Sequence, residues 1–257
     1  MELITGSAAL ARRLEAADAR NASMAAKVVL EAGGGVAAFA GSGSPFTHAI
    51  GVGMNGPVSA SDLDAIEEFY FSRESPVNID LCPAADPTLA ELLGRRGYRI
   101  VEFNNVLVNP LGGAPEAPVD ARIERVAEEA AEGWSVMLAE GFFEHDPSAA
   151  EIQIGLDLIA MPGAEAYCVR IDDVPGAGGM LCMHAGVATL FGDATLKRYR
   201  GGRLQSALIL ARLARASELG ADLATAATFP CTTSQRNYER CGFRVAYTKL
   251  NVQRDYD

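Results

Sequence analysis

The run Arg200-Gly201-Gly202-Arg203-Leu204-Gln205 follows an alternating stretch ending at Thr195-Leu196 and precedes a long alanine-rich segment. That order reads as a strand that stops in a glycine turn and feeds a helix. The first amides of such a helix have no intrahelical partner, so an anion belongs in the turn. Read alone, a glycine pair before a helix is more simply a plain strand-to-helix turn.

The turn excludes two common phosphate sites. It carries no GK[ST], and the nearest lysine, Lys197, precedes it, which argues against a nucleoside triphosphate cradle. A third glycine is missing where a dinucleotide fingerprint needs one. Downstream, Leu204, Ala207, Leu208, Ala211 and Ala214 recur at helical spacing over residues 203 to 219, and Gly220 marks the stop. Asp222 to Ala227 reads as a strand. After Pro230, a Thr/Ser cluster caps a short helix over about Thr233 to Cys241, closed by Gly242-Phe243.

Together, the turn, the helix and strand after it, and the block Tyr238-Glu239-Arg240-Cys241-Gly242-Phe243 resemble the GCN5-related N-acetyltransferase (GNAT) superfamily over the C-terminal half. The resemblance implies acetyl-CoA as cosubstrate, with its pyrophosphate on the turn formed by Arg200, Gly201, Gly202, Arg203, Leu204 and Gln205. It also implies that two central strands splay apart, so that Ala194 and Thr195 meet the pantetheine arm, with Ser234 and Asn237 contacting the cofactor from the last helix. Tyr238 stands where many members place the acid that protonates the departing thiolate, a role that suits a phenol of pKa about 10. A core aromatic packed under Phe243 is the competing reading of that residue.

The chain departs from the family pattern at three places. Arg203 occupies the fourth motif position, normally glycine, where it either crowds the phosphate or pairs with it. Gln205 replaces a small residue, and Lys197 replaces a proline. For a general base, Glu140, Glu144, His145 and Asp146 cluster in the region of the acceptor loop, and Asp193 is a further candidate. None is assigned.

The N-terminal half carries the same pattern in weaker form. Setting Gly97 on Gly242 gives an offset of 242 − 97 = 145, which brings Arg95 onto Arg240, Tyr98 onto Phe243 and Arg99 onto Arg244. The same offset lays Asn55-Gly56-Pro57 under Arg200-Gly201-Gly202 and Leu93 under Tyr238. The first copy therefore keeps a capped helix from Ser59 to Tyr70, with Ser59 or Ser61 as cap, and loses the cofactor chemistry. The expected organisation is a degenerate copy over 1–109, a Gly/Pro linker over 110–118, and a working copy over 119–257. The fold class is α+β: two tandem GNAT-like domains, each a mixed, mostly antiparallel sheet flanked by helices. In architecture alone this resembles the mycothiol synthases.

Composition bounds the partners. A net charge of −11 argues against nucleic acid and anionic membrane; it either serves solubility alone, the commoner case, or attracts a cationic acceptor such as an amine, whether small molecule or peptide. No apolar run is long enough to cross a bilayer, and the N-terminus lacks the pattern of a secretion signal, so a cytoplasmic protein is expected. Five cysteines without a CxxC pair fit a reducing compartment, and His48, His145 and His184 lack metal-ligand spacing. The glycine clusters at 33–35, 41–43 and 176–179 read as hairpin turns. A homodimer is compatible with all of this. The expected activity is N-acetyl transfer from acetyl-CoA to an amine, and the alternative is a catalytically silent protein that binds acyl-CoA or another ligand.

Overall fold

The computed structural model describes residues 7–112 and 122–256, so residues 113–118 of the expected linker lie outside the described residues. In chain order the elements are α1 (Ala8–Ala25), β1 (Val28–Ala32), β2 (Gly35–Phe39), β3 (His48–Ile50), α2 (Ala60–Phe71), β4 (Val77–Leu81), α3 (Pro87–Arg95) and β5 (Arg99–Pro110). There follow β6 (Ile123–Arg125), α4 (Ala131–Phe143), α5 (Ala149–Ile159), β7 (Ala164–Ile171), β8 (Val174–His184), β9 (Val187–Thr195), α6 (Leu204–Glu218), β10 (Leu223–Thr228), α7 (Thr233–Arg240) and β11 (Arg244–Arg254).

Two compact units result: unit 1 is Met1–Val106 with Val245–Asp257, and unit 2 is Leu107–Arg244. This differs from the linear division at 119–257, because β11 packs in unit 1. It runs antiparallel to β4, with Leu250 opposite Leu81 and Arg254 opposite Val77.

Charge explains why β11 belongs there. Lys249 is buried, yet its Nζ lies 2.8 Å from the Asp80 carboxylate on β4 and 2.5 Å from Asp18 on α1. Tyr247 donates to Glu15 at 2.6 Å, and Asn251 donates to Asp80 at 3.0 Å. A buried ammonium is tolerated only with such partners, so the strand and the helix are fixed to each other. The remaining core of unit 1 is apolar, with Leu63, Ile66 and Tyr70 of α2 packed against Val77 and Ile79 of β4.

Unit 1 orders its strands β1-β2-β3-β4-β11; all neighbours are antiparallel except β3 and β4, which pair in parallel at Ala49 and Ile79. Unit 2 begins with Leu107–Pro110 of β5 and continues β10-β9-β8-β7-β6, and here the parallel pair is β9 with β10. Each sheet is thus mixed and mostly antiparallel, with helices packed on it.

Three glycine clusters behave differently. Gly33 and Gly34 take φ of 58° and 74° in the tight β1–β2 hairpin, and Gly41 and Gly43 lie in the β2–β3 loop. The expected turn at 176–179 is instead the interior of β8; the β7–β8 hairpin turns at Asp172-Asp173, both with positive φ. Glycine is needed in β8 because large side chains lie against it. A Cβ on Gly178 would stand 2.5 Å from the Trp134 indole nitrogen, which donates to the Tyr167 carbonyl at 2.9 Å.

Gly178→Ala is therefore expected to destabilise unit 2 by ~1–3 kcal/mol through overpacking. The chain has one tryptophan, so denaturant unfolding followed by Trp134 emission measures the loss, and unchanged emission and midpoint contradict it. In unit 1, burial disfavours the His48 imidazolium, but Asp80 at 3.3 Å outweighs this and raises its pKa above the ordinary 6.5. A raised folded pKa means that this contribution is complete below about 6.5 and lost as pH climbs through the folded value. Unit 1 should lose stability over that window, and His48→Gln should flatten the dependence.

Candidate functional site

The site in unit 2 starts from an incomplete ladder. Strands β9 and β10 pair only from Val187–Thr189 to Leu223–Thr225, while β9 continues to Thr195 and β10 to Thr228. Past the pairing, a cavity of about 920 Å³ opens, walled by the end of β9, the turn after it, α6 and α7. Ala194, Thr195, Arg200, Gly201, Arg203, Leu204, Gln205, Ser234 and Asn237 all line it. Gly202 stands within the same turn without lining the cavity.

Helix α6 opens onto this space uncapped. Its N-cap is Arg203, whose side chain makes no capping bond, and its first turn holds no acid. From Gly201 to Gln205 no amide reaches a backbone acceptor among the described residues. The equivalent helix of unit 1, α2, is closed by a capping box in which Ser59 accepts from the Asp62 amide and Asp62 accepts from the Ser59 amide. There a carboxylate of the chain itself occupies the positive end of the helix. In unit 2 that place is open to an anion from outside.

Arg203 takes φ 58° and ψ 18°, a left-handed conformation that favours glycine. A cationic side chain thus stands at a left-handed position in the turn. Gln205 joins two helices. It donates to Ser234 at 2.9 Å and accepts from Asn237 at 2.7 Å, tying α6 to α7 across the cavity wall. Arg240 extends the chain of bonds by donating to the Asn237 side-chain oxygen at 2.9 Å.

Arg200 is already engaged. Its guanidinium donates to the Glu144 carboxylate at 2.7 Å, to the Gly141 carbonyl at 3.1 Å and to the Thr195 carbonyl at 3.1 Å. Hydrogen bonding from Arg200 and its charge hold the Glu144 carboxyl below its ordinary pKa. In a chain of net charge −11, the cavity wall carries Arg200, Arg203 and Arg240 against a single carboxylate, Asp193.

Asp193 is neutralised from below. Arg212, fully buried on α6, pairs with its Oδ1 and also donates to the Met180 carbonyl at 2.9 Å and the Leu208 carbonyl at 3.2 Å. The pair fits because Gly179 has no side chain; a Cβ there would lie 2.5 Å from Arg212 Nη1. Gly192, at φ 63° and beside a register shift between β8 and β9, lets the strand turn at this point.

Tyr238 is packed beneath the cavity. It does not line the cavity: its residue is 1% exposed, its ring meets Phe243 edge-on at 5.0 Å, and its hydroxyl donates to Asp193 Oδ2. Burial, with the Asp193 charge beside it, raises the phenol pKa well above 10, so the proton stays on. The packing reading of this residue is the one the structure shows, with an added hold on the wall carboxylate.

Of the acceptor-loop acids, Glu140 pairs with Arg198 at 2.8 Å, Glu144 with Arg200, and His145 lies 3.3 Å from Glu151. None of Glu140, Glu144, His145 and Asp146 lines the cavity. Residues missed in the sequence include Ser206 and Leu210, one turn apart on α6, and Arg240 and Cys241, which follow Asn237 by a turn on α7. Helical spacing points to them, by three and seven from Arg203 and by three and four from Asn237; Gly141 is brought in by the packing of α4 alone. Among the described residues no cluster of side chains suits a metal ion, and no helix is long and apolar enough to cross a membrane.

No family model matches this sequence, and no curated protein does. Solved structures do. A GCN5-related N-acetyltransferase from Kribbella flavida superposes with a TM-score of 0.73 at 20% identity, over 95% of each chain. A tandem GNAT protein from the clavulanic acid biosynthesis pathway gives 0.59 at 15% identity, over 98% of this chain and 95% of the other. An acetyltransferase of the GNAT family from Colwellia psychrerythraea gives 0.52 at 14% identity, over 76% and 74%. Likeness at this identity is a likeness of fold, and it spans nearly the whole chain: the protein has the fold of the GCN5-related N-acetyltransferases.

Proposed function

We propose that this chain is an N-acetyltransferase that takes its acetyl group from acetyl-CoA and passes it to an amine acceptor. The observation that carries the reading is the uncapped start of α6, opening onto an arginine-lined cavity where β9 and β10 part. These features fit a diphosphate. Free amides and a helix N-terminus favour the anion, and Arg200 and Arg203 add charge-assisted donors. The parted strands leave the main chain around Ala194 and Thr195 to meet an extended arm. Ser234, Gln205 and Asn237 form the opposite wall.

The cosubstrate supplies an activated thioester when bound. What the chain adds is orientation and proton handling. Attack needs a neutral amine, and Asp193 is the wall carboxylate placed to receive the amine's proton, which then passes to the departing thiolate so that CoA leaves as free thiol. Arg212 and Tyr238 fix that carboxylate in one rotamer. In this scheme Tyr238 is a positioning residue, and Arg212 keeps Asp193 from being a lone buried charge.

A second reading rests on the burial of Tyr238: with no phenol on the wall to protonate a thiolate, the protein binds acyl-CoA without turning it over. The two readings part on one assay. Purified protein mixed with acetyl-CoA and an amine panel should release free thiol only when amine is present; tight CoA binding with no release across the panel selects the silent reading. Arg203→Ala and Arg200→Ala should each raise the Kd for CoA, while Asp193→Asn, which also leaves buried Arg212 without its counter-ion, should lower kcat by about 100-fold. A wild-type rate in Asp193→Asn contradicts the assigned base.

A further inference from the structure

Arg200 stands on the cavity wall, but its charge is matched by Glu144, the residue that ends α4. On the reading that the cavity takes a diphosphate cofactor, that pairing bears on how the ligand enters. The end of α4 is held to the turn by three contacts: Arg200 to Glu144, Arg200 to the Gly141 carbonyl, and Arg198 to Glu140. Gly141 sits so close to β9 that a Cβ there would lie 3.1 Å from that of Ala194 and 3.3 Å from the Thr195 amide nitrogen. The same β9 residues line the cavity.

A diphosphate arriving at Gly201 and Arg203 would meet the Glu144 carboxylate across a single guanidinium. Like charges so placed oppose each other. The carboxylate is the weaker competitor. It is half-exposed, its partner is half-exposed, and such pairs gain little in water. The phosphate has the fixed amides and the start of α6 as well. Glu144 also sits at φ 61°, a left-handed conformation that costs a side-chain-bearing residue, so the chain there gains by relaxing.

We propose that Glu144 is a resident counter-anion which the cofactor's diphosphate displaces from Arg200, and that this exchange releases the C-terminal end of α4. The released end carries Phe142 and Phe143, both exposed.

Calorimetric titration of the full chain with CoA at fixed ionic strength tests this. Glu144→Gln should bind about 3-fold more tightly than wild type, and Glu140→Gln, which loses the neighbouring pair with Arg198, should stay within about 2-fold. In an Arg200→Ala background the Glu144→Gln gain should vanish. Hydrogen exchange of wild type should quicken at amides 141–147 when CoA is added. Unchanged or weaker binding by Glu144→Gln, a gain that persists without Arg200, or tighter protection of 141–147 overturns the exchange while leaving the cofactor reading intact. Absence of CoA binding in wild type and every variant removes the cofactor reading and this inference together.

Discussion

The site in unit 2 depends on one buried ion pair. Arg212 reaches from α6 into the sheet, satisfying the Met180 carbonyl of β8 and the Asp193 carboxylate of β9, and Asp193 in turn holds the Tyr238 hydroxyl of α7. Two helices and two strands are thereby joined beneath the point where β9 and β10 part. Burying both charges is costly unless every donor finds an acceptor, and the guanidinium here reaches three. Truncating it would strand Asp193 and cost ~3–5 kcal/mol. Gly179 is the room the pair needs.

The offset of 145 sets the residues of the two units side by side. Since 212 − 145 = 67, Glu67 occupies in α2 the place of Arg212 in α6. It is also buried, but as an acid, paired with Arg96 at 2.6 Å and Arg254 at 2.9 Å. By the same offset His48 stands for Asp193, Ser59 for Leu204 and Leu93 for Tyr238. Unit 1 replaces a carboxylate on the strand by an imidazole and fills the start of its helix with its own Asp62. Its turn amides are also consumed: Pro57 has none to offer, Val58 donates to the Thr88 hydroxyl at 2.8 Å, and Ser59 donates to Asp62 at 2.8 Å. The element order is preserved and the anion site is closed.

Local signals in the sequence located most of unit 2. The periodicity over 203–219, the strand after it and the capped helix before Gly242 match α6, β10 and α7 to within a residue or two at each end, because each is decided by neighbours three or four positions away. Three matters needed the third dimension. The glycines at 176–179 resemble a turn in one dimension, yet their role is set by Trp134 and Arg212, which pack on β8 from distant segments. The motif position of Tyr238 says nothing about which way its hydroxyl points, and Asp193 decides that. The partner of β11 is chosen by Lys249, whose acids lie on α1 and β4, more than 160 residues earlier by the nearest of them, 249 − 80 = 169.

Every functional step proposed for unit 2 requires the main chain from Gly201 to Gln205 to grip a diphosphate. Titrating isotopically labelled protein with CoA and following backbone amide shifts addresses those atoms directly. The largest shifts are expected on residues 201–205, with smaller ones at Ala194 and Thr195. Shifts centred on the Asn55-Gly56 turn of unit 1, or none at saturating CoA, would contradict that grip.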